Sequence, residues 1–299
     1  MRRLTEQNRD DRGVVTLFVI GMITALLLAS AAAIDVSRFS QENSSAQHSA
    51  DATVVAVATD CANGISLGSV DYTKYYKSTS GQTINAPACG TGQTTITVTK
   101  NVNGGLLLSR DARTVTRRAT ARWGSIGTAT TIPMVISNCE FTQAILVGTA
   151  DITLYLDDAK PQSGCSSLPG GFSQLVNNNC AVTVSAGGTV PGDPGGDVMK
   201  EIPCITPLPK DILVPMYNAS ACTGTCNGHG PYPIMGFAMF HLTGYSFNGN
   251  KSGGTLGNKC PDTTRGKYCI RGDFIQFVTS QGSPGPSTDF GTKQVYLYS

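Results

Sequence analysis

The chain has 299 residues, a formal net charge of +2 and only 14% charged side chains. That balance excludes the strongly basic surface that attracts a phosphate backbone, so no nucleic-acid partner is expected, and it lies well under the roughly 25% charge of an average soluble domain. Gly, Ser, Thr and Asn fill the gap, which suits turn-rich β structure, and ten cysteines form an even set that persists as disulfides only in an oxidising compartment.

The first element is apolar. Val14–Ile34 is a run of 21 residues without a charge, eleven of them Val, Leu, Ile or Phe. At about 1.5 Å per residue a helix of this length spans roughly 30 Å, the thickness of a bilayer core. Arg2, Arg3, Arg9 and Arg12 precede the run, and Arg38 is the only Lys or Arg between it and Lys74. The positive-inside rule then predicts a single-pass protein of the cell membrane. Residues 1–12 are cytoplasmic, 13–34 form the transmembrane helix, and everything beyond is extracytoplasmic. A cleavable signal peptide is the rival reading, with Ala31-Ala32-Ala33 as its A-x-A site, but the run is longer than the usual apolar region of such peptides. Gly21, Ala25, Ala29 and Ala33 share one face at i, i+4 spacing, which lets another helix approach closely in lipid. The alternative is that Ala is simply common in such segments.

Helical spacing continues past the bilayer. Val36, Phe39, Asn43, Ala46, Ala50, Thr53 and Val57 form a heptad-like seam, and no Pro falls between Val14 and Asn63. One helix from about Val14 to about Ala58 is predicted, its extracytoplasmic part occupying residues 35–60 and lying against the following domain or a partner helix.

Arg12-Gly13, the apolar run, Ala33-Ile34-Asp35-Val36-Ser37-Arg38 and Ala50-Asp51-Ala52 together resemble the N-terminal segment of TadG/TadE-type proteins of the Flp (tight-adherence) pilus-assembly system. Thr131-Ile132-Pro133 to Cys139-Glu140-Phe141 and Leu168-Pro169-Gly170-Gly171-Phe172 are similar to actinobacterial members. The resemblance implies a membrane-bound pilus-assembly component with other pilus-assembly or membrane proteins as partners. Two departures sharpen it. Pilin-like members carry Glu at the fifth position counted from the Gly, where this chain has Phe18, so the segment is TadG-like rather than a pilin. The D-x-S-x-S metal motif of some TadG relatives is absent from this sequence.

From Cys61 the texture changes to short apolar runs split by Gly, Pro and Asn. Residues 61–125 read as a small pilin-like strand region and 126–299 as a β-rich domain, with a soft boundary near Gly124–Thr131. Candidate strands are Thr94–Lys100, Arg113–Trp123, Ala144–Val147, Asp151–Leu156, Ala181–Ala186, Asp211–Tyr217, Ile234–Phe247, Phe274–Thr279 and Gln294–Tyr298. Ile234–Phe247 is expected to bend or split at Gly236 and Gly244, and Gly187–Asp197 is a loop by composition. The fold class predicted is α+β: a long transmembrane-plus-extracytoplasmic helix, then a disulfide-stapled, sandwich-like β region. Short loops favour the pairs Cys260–Cys269, Cys165–Cys180, Cys222–Cys226 and Cys61–Cys89, leaving Cys139 with Cys204.

Chemistry is sparse. Gly64-Ile65-Ser66-Leu67-Gly68 matches G-x-S-x-G, but a nucleophile elbow needs a strand before the Ser and a helix after it, and here a helix precedes. The three histidines, His48, His229 and His241, show no metal spacing, and His241 alternates with strand residues as a surface or packed side chain. Asp151, Asp157, Asp158, Asp193 and Asp197 read as turn formers, without the spacing of a calcium loop. No metal site, cofactor or catalytic residue is predicted. Arg110, Arg113, Arg117, Arg118 and Arg122 form a basic stretch, read as a solvated strand face or a contact for anionic lipid or wall polymers. Arg271-Gly272-Asp273 spells an adhesion tripeptide and is expected in a turn. A non-catalytic pilus-assembly component is the leading function. An anchored adhesin or carbohydrate-binding surface protein is the alternative, and an extracytoplasmic hydrolase using Ser66 stands third.

Overall fold

A computed structural model describes residues 11–78, 81–103, 105, 111–147, 151–156, 165, 172–176, 179–193, 202–222, 231–247, 251–279 and 282–298. The chain folds as two compact units. One comprises Met1–Ala58, Ser66–Ala121 and Leu297–Ser299, the other Thr59–Ile65 and Arg122–Tyr296.

The first unit is built on one continuous helix, α1 (Asp11–Ala62), of 52 residues. The predicted fusion of the apolar span with the heptad-like stretch is therefore a single uninterrupted element. Inside the apolar run the Thr24 and Ser30 hydroxyls donate to the Ile20 and Leu26 carbonyls, each at 2.8 Å, so these polar groups need no water. Farther along, Ala46, Ala50, Thr53, Val54, Val57 and Ala58 are wholly buried. Three strands accompany this stretch: β1 (Gln82–Ile84), β2 (Gln93–Val102) and β3 (Arg113–Thr131), hydrogen-bonded in that order. In β2 the alternation predicted from sequence is visible as buried Thr94, Ile96, Val98 and Lys100 between half-buried neighbours. Val115, Ala119 and Ala121 form the buried face of β3. Helix and sheet are joined where Gln82 Nε2 donates to Ser45 Oγ (3.5 Å), where Lys100 pairs with Glu42, and where Gly105 abuts Asp35. The heptad-like seam is buried only from Ala46 onward; Val36 and Phe39, nearer the apolar span, are exposed.

The second unit contains the end of α1, the C-terminal half of β3, and the following elements: β4 (Met134–Ser137), α2 (Asn138–Val147), β5 (Ile152–Tyr155), β6 (Phe172–Gln174), β7 (Val182–Ser185), β8 (Thr189–Pro191), α3 (Ile202–Ile205), β9 (Lys210–Tyr217), β10 (Pro231–Phe247), β11 (Lys251–Gly254), β12 (Cys269–Ile275), β13 (Phe277–Thr279), β14 (Ser283–Pro284), β15 (Thr288–Asp289) and β16 (Thr292–Tyr298), the last up to Tyr296. Its main sheet has the order β5-β12-β10-β9-β4-β6, with β8, β11 and β15 also on β10. This sheet is buried on both sides, which is why its central strands read as nearly continuous apolar runs. Ile212, Val214, Met216, Ala238, Phe240 and Leu242 enter one core with Leu154 and Ile270. Leu213, Tyr217, Phe237 and Met239 enter the other with Ile126, Ala129 and Val184 of the facing β3–β7 layer. The result is the sandwich expected from the strand pattern.

Several expectations are corrected. Ala144–Val147 is the end of α2, not a strand. The Ser137 hydroxyl accepts from the Cys139 N–H at 3.2 Å and caps the helix, and Phe141 and Ala144 pack on the first core. Of the two outcomes expected for Ile234–Phe247, a split does not occur, since the span lies within β10, but the irregularity falls where expected: the Gly236 and Gly244 positions appear as register shifts against β9 and β12. Phe274–Thr279 is divided between β12 and β13, which pair with different strands. The region expected to be a loop from Gly187 contains β8; Asp197 lies outside the described residues. Arg271-Gly272-Asp273 sits inside β12, not in a turn.

The disulfides Cys139–Cys165, Cys180–Cys204 and Cys260–Cys269 staple this unit. The expected pairs Cys165–Cys180 and Cys139–Cys204 are thus exchanged. Cys139 is carried on α2 and Cys204 on α3, and it is these helices, invisible as partners in the sequence spacing, that select the bridges. Cys61, Cys89 and Cys222 are disulfide-bonded as well, and Cys226 lies outside the described residues.

Candidate membrane and partner interface

The N-terminal part of α1 has one chemical property above all: apolar exposure. Leu17 and Phe18 are 72% and 75% exposed, and Ile20, Ile23, Leu26, Leu27 and Leu28 are exposed as well. A row of this length left in water forgoes its transfer free energy at each residue, whereas hydrocarbon supplies it. The helix is long and apolar enough to cross a membrane, with none of the span buried by the protein. Gly21, Ala25, Ala29 and Ala33 lie on this surface. A Cβ built on Gly21 would meet nothing within 4 Å, so the face is open to close approach by another helix.

Beyond the span, the same helix forms one wall of an open groove of about 1300 Å³. Ala33, Ser37, Ser40, Ser44 and His48 line the helix side, and Lys74–Lys77 line the other. The second wall is held by a tight turn. The Asp71 carboxylate accepts from the Thr73 N–H at 2.9 Å. Bonds from the Thr73 hydroxyl and N–H, then the charge of Lys74, hold Asp71 below the usual carboxylate range. Lys74 lies 4.9 Å over the Tyr75 ring.

The residues singled out for chemistry are scattered. Ser66 follows α1 and precedes only the short turn Leu67–Ser69, with its carbonyl accepting from Ser69; the strand–Ser–helix context of a nucleophile elbow is absent there. His48 is on α1, His241 is on β10, and His229 lies outside the described residues. Among the described residues no three His, Cys, Asp or Glu side chains converge as a metal centre. Asp193 donates its N–H to the Gln174 carbonyl; Asp157 and Asp158 are not among the described residues. Of the basic stretch, Arg113 and Arg118 are exposed on β3, Arg117 and Arg122 are half-buried, and Arg110 is not described.

One polar cluster was not foreseen. Where β9, β10, β12 and β5 run side by side, His241 Nδ1 lies 2.5 Å from Asp211 Oδ1, and Arg271 is 2.5 Å from Asp151. The Asp151 N–H donates to Asp273. Arg271 and Asp273 of the adhesion-like tripeptide are therefore committed to neighbours within the sheet, and Gly272 packs against the His241 carbonyl oxygen. Register alone brings these residues together, because His241 stands opposite both Asp211 and Asp273. No local motif signals such a row.

Residues 13–60 match the TadE/G-like Flp pilus-assembly family. The N-terminal segment of this chain is TadE/G-like. No curated protein and no solved structure matches the chain. The TadE/G-like segment comprises the apolar stretch of α1 that is long enough to cross a membrane and the part buried in the first unit, ending just before Cys61. Its two halves thus have different surroundings, an apolar surface with no covering from the protein and a packed face at Ala46–Ala58.

Proposed function

We propose that this chain is a non-catalytic, membrane-anchored component that assists assembly or surface presentation of a Flp-type pilus. The observation that carries the proposal is the TadE/G-like match over residues 13–60, on the helix that continues from an apolar span into a folded unit. The Arg excess before the span supports a cytoplasmic N-terminus, and disulfide bonding of the described cysteines supports an oxidising exterior for the rest. In this reading Gly21, Ala25, Ala29 and Ala33 pack a partner helix within the bilayer, while the stapled β unit offers a rigid surface to other assembly proteins. Retention as an anchor agrees with Phe18 at the position where pilin-like relatives have Glu.

The test is affinity purification from mildly solubilised membranes, with and without the other pilus-assembly proteins. Recovery of at least one pilus-assembly protein is expected. Recovery of none, from membranes that contain them, contradicts the proposal.

A further inference from the structure

Between the part of α1 beyond the apolar span and residues Lys74–Lys77 lies the open groove of about 1300 Å³, wholly within the first unit. That exceeds the roughly 300–1,000 Å³ of a small-molecule site, so the occupant it fits is extended. Its floor runs along α1 from Ala32 to Ser49. At about 1.5 Å per residue Ser49 stands about 22 Å beyond Ile34, whereas a headgroup layer is only about 5–8 Å deep. Most of the groove is therefore out of reach of a lipid headgroup.

The lining has a definite chemistry. Ser37, Ser40 and Ser44 are exposed on the floor. Ser disfavours a helix relative to Ala or Lys, because its hydroxyl competes for the backbone, so a face that met only water would gain from longer side chains. Short hydroxyl side chains instead leave the groove open and line it with groups that both donate and accept. On the facing wall Lys74 Nζ lies 4.9 Å from the ring centroid of Tyr75, which is 36% exposed, so a cation and an aromatic ring are presented together. Lys77 adds a second cation, and no Asp or Glu is among the described residues that line the groove. The carboxylates nearby are engaged, Glu42 with Lys100 and Asp71 with Thr73. No Leu, Ile, Phe or Trp is among the described lining residues either, so the large apolar anchors at the centre of a protein interface have no counterpart here.

We propose that this groove binds a linear acidic polysaccharide. A sugar acid unites an apolar C–H face, several hydroxyls and a carboxylate in one unit. These match the exposed Tyr75 ring, the serine row and the Lys74–Lys77 pair in turn. Repeated along a chain, such units fill a long groove that no single small molecule fills. The fit does not depend on a role in pilus assembly; only the exclusion of lipid rests on reading residues 14–34 as a membrane span.

Calorimetric titration of the full chain in phosphatidylcholine nanodiscs at low salt tests this. The probe is a galacturonic acid decamer, with a neutral dextran oligomer and a glutamate decamer for comparison. The galacturonate should bind and the dextran should not. Binding should weaken about tenfold in Lys74→Gln/Lys77→Gln and about 2- to 10-fold in Tyr75→Ala. Arg113→Gln/Arg118→Gln removes the same charge from exposed positions on β3 and should change binding less than about twofold. Ser40→Trp, which fills the groove and keeps both Lys residues, should abolish binding. No binding of galacturonate, equal loss in the two double variants, or unchanged binding by Ser40→Trp overturns the proposal. Glutamate bound as tightly as galacturonate, with Tyr75→Ala without effect, overturns the polysaccharide in favour of an acidic peptide.

Discussion

Replacing Phe240 by Ala probes the doubly buried sheet directly. Phe240 is fully buried on the central strand β10, its ring 5.1 Å from that of Phe274, which stacks edge-on with Phe141 of α2 at 4.8 Å. The substitution removes a fully buried aromatic side chain, leaves a cavity between β10, β12 and α2, and strips one edge contact from the aromatic chain. A loss of about 3–5 kcal/mol is expected, a large part of the roughly 5–15 kcal/mol that holds a domain folded. With a urea m-value of about 2 kcal/mol/M, the midpoint falls by roughly 1.5–2.5 M. The assay is urea unfolding of the full chain in detergent micelles with its disulfides intact, read by proteolysis of the β unit. Leu146→Ala, at a 73% exposed position of α2, should stay within about 0.5 kcal/mol of the parent. If Phe240→Ala falls no further than Leu146→Ala, the two-sided core is wrong.

Four further outcomes follow from the same geometry. Gly272→Ala drives a methyl group into the His241 carbonyl oxygen, and should cost about 3 kcal/mol or more with loss of amide protection in β10 and β12; unchanged hydrogen exchange would count against the register. Removing Cys260 and Cys269 together as Ser opens a loop of about ten residues and should cost roughly 2.5–3 kcal/mol in the same urea assay on the chain-entropy estimate. The Asp71 turn is stabilised above the ordinary carboxylate pKa and loses that contribution as pH falls through the lowered pKa, because the folded state favours the ionised form; Thr73→Ala should raise that pKa towards the usual range in an NMR titration. Gly21→Leu with Ala29→Leu should weaken helix association in membranes by about 1–2 kcal/mol, roughly 5- to 30-fold in co-purified partner, with no loss of anchoring.

The long helix was legible because two signals agree, an uncharged run long enough to span a bilayer and a seam of small residues that continues it without Pro. The paired strands β2, β9 and β10 were legible through alternation or dense apolar runs. α2 was not: Ala144–Val147 is four apolar residues, and such a run does not separate strand from helix. The deciding signal lay upstream, in Ser137 and Glu140 at capping-box spacing. The exchanged disulfides escaped for the same reason, since Cys139 and Cys204 are carried by short helices that loop length does not reveal. The lower seam failed at Val36 and Phe39 because their spacing is right but the sheet does not cover that turn of α1. The polar row at His241 has no local signature, since its members come together only through strand register.

The central claim is a role in pilus assembly, and the number of surface pili on cells lacking this chain tests it most directly. The account predicts that electron microscopy shows few or no pili on such cells. Full restoration is expected with the intact chain, and none with a version whose residues 13–60 are replaced by an unrelated membrane helix. Pili in normal number without the chain would contradict it.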